Sequence, residues 1–154
     1  MTTYKKGDLL EFFRNGEIDV ICHVTNNQGV MGSGIALQIK EQFPEAYKNY
    51  KSYEKLHGLK LGTISMYCLP NESAIMNFHA QDGYGSGKRF LNYEAFYQCL
   101  EELRSLFDWK GNLDWKTVGF PKLIGCDRAG GNWKIVETMI EQVFPDAIIV
   151  EYSK

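Results

Sequence analysis

Residues 20–40, VICHVTNNQGVMGSGIALQIK, constrain the fold more than any other stretch of this chain. Val20, Ile21 and Val24 are the β-branched residues of a buried strand. Asn26, Asn27 and Gln28 place amide groups at its carboxyl end, and Gly29, Gly32 and Gly34 allow backbone N–H groups to approach a neighbour closely. Ile35, Ala36, Ile39 and Phe43 then recur at helical spacing. A glycine turn that opens a helix is a ready anion site. The first helical N–H groups lack internal partners, and the dipole favours negative charge there. The segment therefore predicts a ligand that carries phosphate.

The same alternation runs through the whole chain. Strands are expected at 20–25, 63–69, 74–79, 117–120 and 147–151, with a weaker one at 3–6. Helices are expected at 34–43, 45–56, 93–107 and 133–144. The third helix sets Phe96, Cys99, Leu100, Leu103 and Phe107 on one face, with Asn92 as its N-cap and Glu94 in its first turn. Asn132 would cap the fourth, whose apolar face is Val136, Met139, Ile140 and Val143. This order predicts an α/β fold, a three-layer α/β/α sandwich around a mixed, mostly parallel sheet, with 1–154 as a single domain. Ligands of such sheets bind beyond the carboxyl ends of the strands.

Composition removes several function classes. The net charge of −2 argues against a general nucleic-acid-binding face. No apolar run is long enough to span a bilayer, and MTTYKK lacks the apolar core of a signal peptide. An intracellular, cytoplasmic monomer with no membrane partner is expected, the nucleus remaining open. Cys22, Cys68, Cys99 and Cys126 form no C-x-x-C pair, so no zinc site or redox motif is expected; no metal-ligand cluster is visible either, and no metal and no cofactor are expected. The first three lie in apolar stretches and are expected to be buried thiols.

Three polar or glycine-rich loops, 25–34, 80–89 and 124–131, follow strands and would converge at one sheet edge. Glycines in 82–87 predict mobility in the second. There is no G-x-x-x-x-G-K-[ST], and Leu37 occupies the place of the third glycine of a dinucleotide fingerprint, which disfavours a kinase or dehydrogenase.

Lys6-Gly7-Asp8-Leu9, Asn26 followed by Gly32-Ser33-Gly34-Ile35, and Ile124-Gly125-Cys126 with Ala129-Gly130-Gly131 and Trp133 occur in that order along nearly the whole chain. In this the chain resembles the macro domain family, which binds ADP-ribose and some of whose members hydrolyse its derivatives. The form N-x-Q-G-V-M-G-S-G-I-A is most similar to the branch that contains ADP-ribose 1''-phosphate phosphatases (Appr-1''-p processing proteins) and certain protein de-ADP-ribosylases. The resemblance implies that Asp8 accepts a hydrogen bond from the adenine amino group, or is only a turn aspartate. It implies that Asn26 orients the distal ribose, or closes an Asx turn. Gly32, Ser33, Gly34 and Ile35 would offer N–H groups to the diphosphate and distal ribose, with Gln28 and Met31 in the same loop and Leu9 beside Asp8. Gly125, Cys126 and Asp127 would line the other side of the phosphate channel. Tyr152 would stack on adenine or pack the chain terminus.

Two departures bear on chemistry. Related de-ADP-ribosylases use a lysine where this chain has Gln81, and glutamine cannot form a Schiff base with an opened ribose. Asp127-Arg128 stands where relatives more often have Gly-Leu. Arg128 would bind a terminal phosphate or neutralise Asp127, or the two pair in solvent. His23 is the remaining candidate acid or base, against the alternative of a core histidine. The expected activity is hydrolysis of ADP-ribose 1''-phosphate to ADP-ribose and phosphate without a metal. Asn26 positions the substrate and Asp127 or His23 activates water. The alternatives are a non-catalytic ADP-ribose-binding module, or removal of ADP-ribose from protein or nucleic acid by a route that needs no lysine.

Overall fold

The computed structural model describes residues 2–32, 34–83, 88–109, 114–126 and 129–153. Its strands are β1 (Thr3–Gly7), β2 (Val20–Asn26), β3 (Ile64–Cys68), β4 (Ala74–Gln81), β5 (Val118–Pro121) and β6 (Ile148–Tyr152). Its helices are α1 (Leu9–Arg14), α2 (Gly34–Gln42), α3 (Pro44–His57), α4 (Tyr93–Asp108) and α5 (Trp133–Val143). One six-stranded sheet runs in the order β1-β6-β5-β2-β4-β3. Every pairing is parallel except β3 with β4. β1 and β6 pair from Thr3 opposite Ile148 to Gly7 opposite Tyr152.

Both faces of the sheet are covered, which is why β2 and β4 are apolar almost throughout. Val20, Cys22, Met76, Phe78 and Phe120 pack beneath α4 and α5, with Phe96, Leu100, Val136 and Ile140 from the helices. On the other face Ile21, Ile75 and Val150 meet Leu10 and Phe13 of α1 and Ile39 of α2. The caps form as the sequence predicts. The Asn92 side chain accepts from the Ala95 N–H, and that of Asn132 from the N–H groups of Lys134 and Ile135. α1 was not expected, and Cys68 departs from expectation because it ends the sheet's edge strand and is exposed. Among the described residues no helix is long and apolar enough to cross a membrane.

Beneath α3 the sheet carries a buried polar chain. His23 Nε2 donates to Asn77 Oδ1 (2.6 Å), and Asn77 Nδ2 donates to Ser65 Oγ (3.1 Å). Ser65 Oγ meets His79 Nε2, and His79 Nδ1 meets Thr63 Oγ1, both at 2.9 Å. Burial pushes both histidines down to about 4, and each ring stays neutral in the fold. The unfolded chain protonates them near pH 6.5, so their contribution is complete above that pH and is lost as pH falls toward 4. Unfolding free energy measured in urea should fall by about 2 kcal/mol from pH 7 to pH 5.5. The drop should shrink in His79→Gln; an equal drop in the variant would count against this assignment.

Candidate functional site

Along the carboxyl ends of the strands lies a cleft of about 330 Å³, lined among others by Asp8, Leu9, Val24, Gly34, Ile35, Gln81, Gly125 and Tyr152. The sheet order lays these out in sequence along the edge. Asp8 follows β1 and Tyr152 ends β6, Pro121 ends β5 and 122–125 follow it, Val24 belongs to β2, and Gln81 ends β4. At about 4.8 Å between neighbouring strands, the row from β1 to β4 extends roughly 19 Å.

At one end, Asp8 caps α1 through a single oxygen. Oδ1 accepts from the N–H groups of Leu10 (2.9 Å) and Glu11 (3.4 Å), and Oδ2 keeps no partner among the described residues. Tyr152 is 64 % exposed beside it and offers a free aromatic face. In the middle, α2 begins at Gly34 with no acidic residue in its first turn, so no carboxylate of that turn opposes an anion at its positive end. Facing it, Gly125 adopts φ +71, and a Cβ there would lie 2.9 Å from Leu91. Glycine is needed at that position on both counts.

Other expected residues are placed differently. Asn26 spends its side chain inside its own loop: Oδ1 accepts from Gln28 N–H (2.9 Å) and Val30 N–H (3.2 Å), and Nδ2 donates to Val30 O (2.8 Å). It closes an Asx turn and does not line the cleft. α3 holds that loop from behind, through Tyr50 OH to Asn26 O (3.0 Å) and Lys51 Nζ to Gly29 O (3.2 Å). Met31 is buried against Tyr50 and Leu59, while Gln28 and Gly32 are exposed and are not among the described residues that line the cleft. Cys126 donates its N–H to Leu123 O (2.8 Å), its side chain packs against the α4–α5 core, and burial pushes its thiol up to about 11. It is neither an anion donor nor a thiolate. His23 is 1 % exposed, on the face of β2 opposite Val24, and is not among the described residues that line the cleft. Ser33, Asp127, Arg128 and residues 84–87 of the second loop lie outside the described residues.

Gln81 lies in the cleft wall and Asn27 bridges the first two loops. The β2–β4 register slips after Thr25, so Asn26 stands level with Gln81 and Ala80 has no register partner on β2. A slip of this kind bends the strand and re-aims the next side chain. Gln81 lines the cleft, its Nε2 held by Gly83 O at 2.9 Å. The amide run at 26–28 was the signal in the sequence for Asn27, but spacing could not say which amide would bridge the loops.

No family model matches the chain. An uncharacterised 17.5 kDa protein of Enterobacteria phage T4 is 30 % identical over 142 residues, covering 90 % of this chain and 86 % of that one. A DNA ADP-ribosyl glycohydrolase of Mycobacterium tuberculosis is 27 % identical over 99 % of this chain, which spans only 42 % of that protein's length. The solved macrodomain of Mycobacterium tuberculosis DarG superposes with a TM-score of 0.78 at 26 % identity, covering 100 % of this chain and 98 % of that one. Thermosipho africanus DarTG, solved in complex with ADP-ribose, gives a TM-score of 0.77 at 18 % identity over 98 % of this chain and 42 % of its own. With its sheet order and its cleft at the strands' carboxyl ends, the chain belongs to the macro domain family.

Proposed function

We propose that the protein binds ADP-ribose along this cleft and hydrolyses the glycosidic link between ADP-ribose and DNA. A single cleft with two chemically different ends carries the reading. The Asp8–Tyr152 end offers a carboxylate acceptor and an aromatic face, which suit an adenine. The centre, between the start of α2 and Gly125, suits a diphosphate because backbone N–H groups and the positive end of a helix whose first turn holds no acidic residue face it there. The distal ribose then falls at the β4 end, beside Gln81.

The bond to be broken is the point on which the glycine loop says least, since it grips the diphosphate and not the reacting carbon. Similarity to DNA ADP-ribosyl glycohydrolases supports cleavage at the ribose C1'' ahead of the phosphatase activity expected from the loop's form. Gln81 supports direct attack by water over a lysine adduct. The protein, with EDTA present, is incubated with a DNA oligonucleotide carrying one ADP-ribosyl group and, separately, with ADP-ribose 1''-phosphate. Free ADP-ribose and unmodified DNA are expected from the first. Phosphate release from the second with intact ADP-ribosyl DNA would restore the phosphatase reading, and turnover of neither with tight ADP-ribose binding would leave a binding module.

A further inference from the structure

We propose that Gln81 orients the attacking water and that Asn27 is the positioning residue that holds Gln81 in place; this rests on the hydrolase reading above. Asn27 ties the first loop to the second by three hydrogen bonds. Its N–H donates to Gln81 O (3.1 Å), its Nδ2 donates to Asp82 Oδ1 (2.9 Å), and its Oδ1 accepts from Gly83 N–H (2.9 Å). Gly83 in turn accepts from Gln81 Nε2. Gln81 is therefore fixed at both its main chain and its side chain, by one residue of the neighbouring loop and one of its own.

That arrangement leaves Oε1 of Gln81 as its spare polar atom, an acceptor with no partner among the described residues. A neutral carboxamide cannot take a proton from water at ordinary pH, and it cannot form an imine. It can hold a water by one O–H and aim the oxygen lone pair, which is the role of a positioned glutamine in other hydrolytic sites. In the reaction the water oxygen bonds to the ribose C1'' as the bond from C1'' to the DNA acceptor atom breaks. The electron pair of that bond leaves with the acceptor atom, which gains a proton, while the proton lost by the water passes to solvent. One water is consumed, and nothing is oxidised or reduced.

Asn27 is the informative residue to change because it lies one step back from the water. In Asn27→Asp the donor to Asp82 is lost and two carboxylates face each other, so the loop holding Gln81 should spring away. Adding Asp82→Asn reverses the polarity of the pair. The new carboxamide donates where Asn27 did, and the new carboxylate still accepts from the Gly83 N–H.

The test is single-turnover release of ADP-ribose from the oligonucleotide, with ADP-ribose affinity measured by calorimetry on each variant. Gln81→Ala should lower the rate constant about a hundredfold at unchanged affinity, the scale on which a displaced reactant is penalised. Asn27→Asp should lower it at least ~10-fold, and the Asn27→Asp/Asp82→Asn pair should return it to within ~3-fold of wild type, as coupled neighbours do. Full activity in Gln81→Ala, a rate loss matched by lost affinity, or a double variant no better than Asn27→Asp overturns the assignment while the hydrolase reading stands. A borohydride-trapped protein–ADP-ribose adduct does the same. A wild-type protein that leaves the oligonucleotide untouched overturns both together.

Discussion

Replacing Phe78 with alanine is expected to lower the unfolding free energy by about 3–5 kcal/mol, the usual cost of deleting a buried ring. Phe78 is fully buried in β4 and lies at the centre of an aromatic group. Its ring meets Phe96 of α4 edge-on at 5.6 Å and Phe120 of β5 at 6.3 Å, and Phe120 continues to Phe144 at 6.2 Å. The contacts join three elements distant in sequence, so the void cannot be closed by a shift of one helix alone. Leu100 and Met76 fill the same layer and are themselves buried, leaving no loose side chain to move in. A midpoint shift in urea with an unchanged slope is the expected form of the result. A loss below about 1 kcal/mol would mean that the α4–sheet interface repacks far more freely than its burial indicates.

Asp8→Asn is expected to weaken ADP-ribose binding by about 1.5–3 kcal/mol, the range for a hydrogen bond to a charged group, or roughly 10- to 150-fold. The variant separates two roles of one side chain. Oδ1 caps α1, and asparagine caps a helix as well as aspartate does, so stability should hold. Oδ2 is the free acceptor at the cleft's β1 end, and half of the possible amide orientations replace it with a donor. Calorimetric titration with ADP-ribose, beside a thermal melt of the same preparation, distinguishes the outcomes. Unchanged affinity would remove Asp8 from the ligand contacts, and a lowered melting temperature would show that the cap was its main contribution.

The sandwich was legible because its long elements follow simple periods. α4 and α5 show their apolar faces and asparagine caps directly, and β2 is bounded by its own glycine loop. α1 escaped notice because LLEFFR is six residues long and too short for a period to develop. Cys68 was misjudged because strand order decides exposure: an apolar run at a sheet edge reads like one at the centre. Asp8, Gly34 and Gly125, expected from the sequence, line the cleft, while Gly32 does not. The division of labour between Asn26 and Asn27 was not legible, since adjacent identical residues acquire opposite duties through a one-residue slip that no composition pattern encodes. His23 looked chemical for the same reason it proves structural, because a strand's alternation gives two faces without saying which is open.

The parallel pairing of β1 with β6 has a practical consequence for anyone who attaches this protein to something else. The strands run side by side from Thr3 to Gly7 and from Ile148 to Tyr152, so the polypeptide enters this pair at the end remote from the ligand and leaves it at the mouth. Four residue steps at about 3.3 Å separate the two levels by roughly 13 Å. A purification tag, dye or surface linker placed ahead of Thr3 stays clear of incoming substrate. The same appendage placed after Ser153 emerges beside Tyr152, where it competes for the space an adenine would occupy.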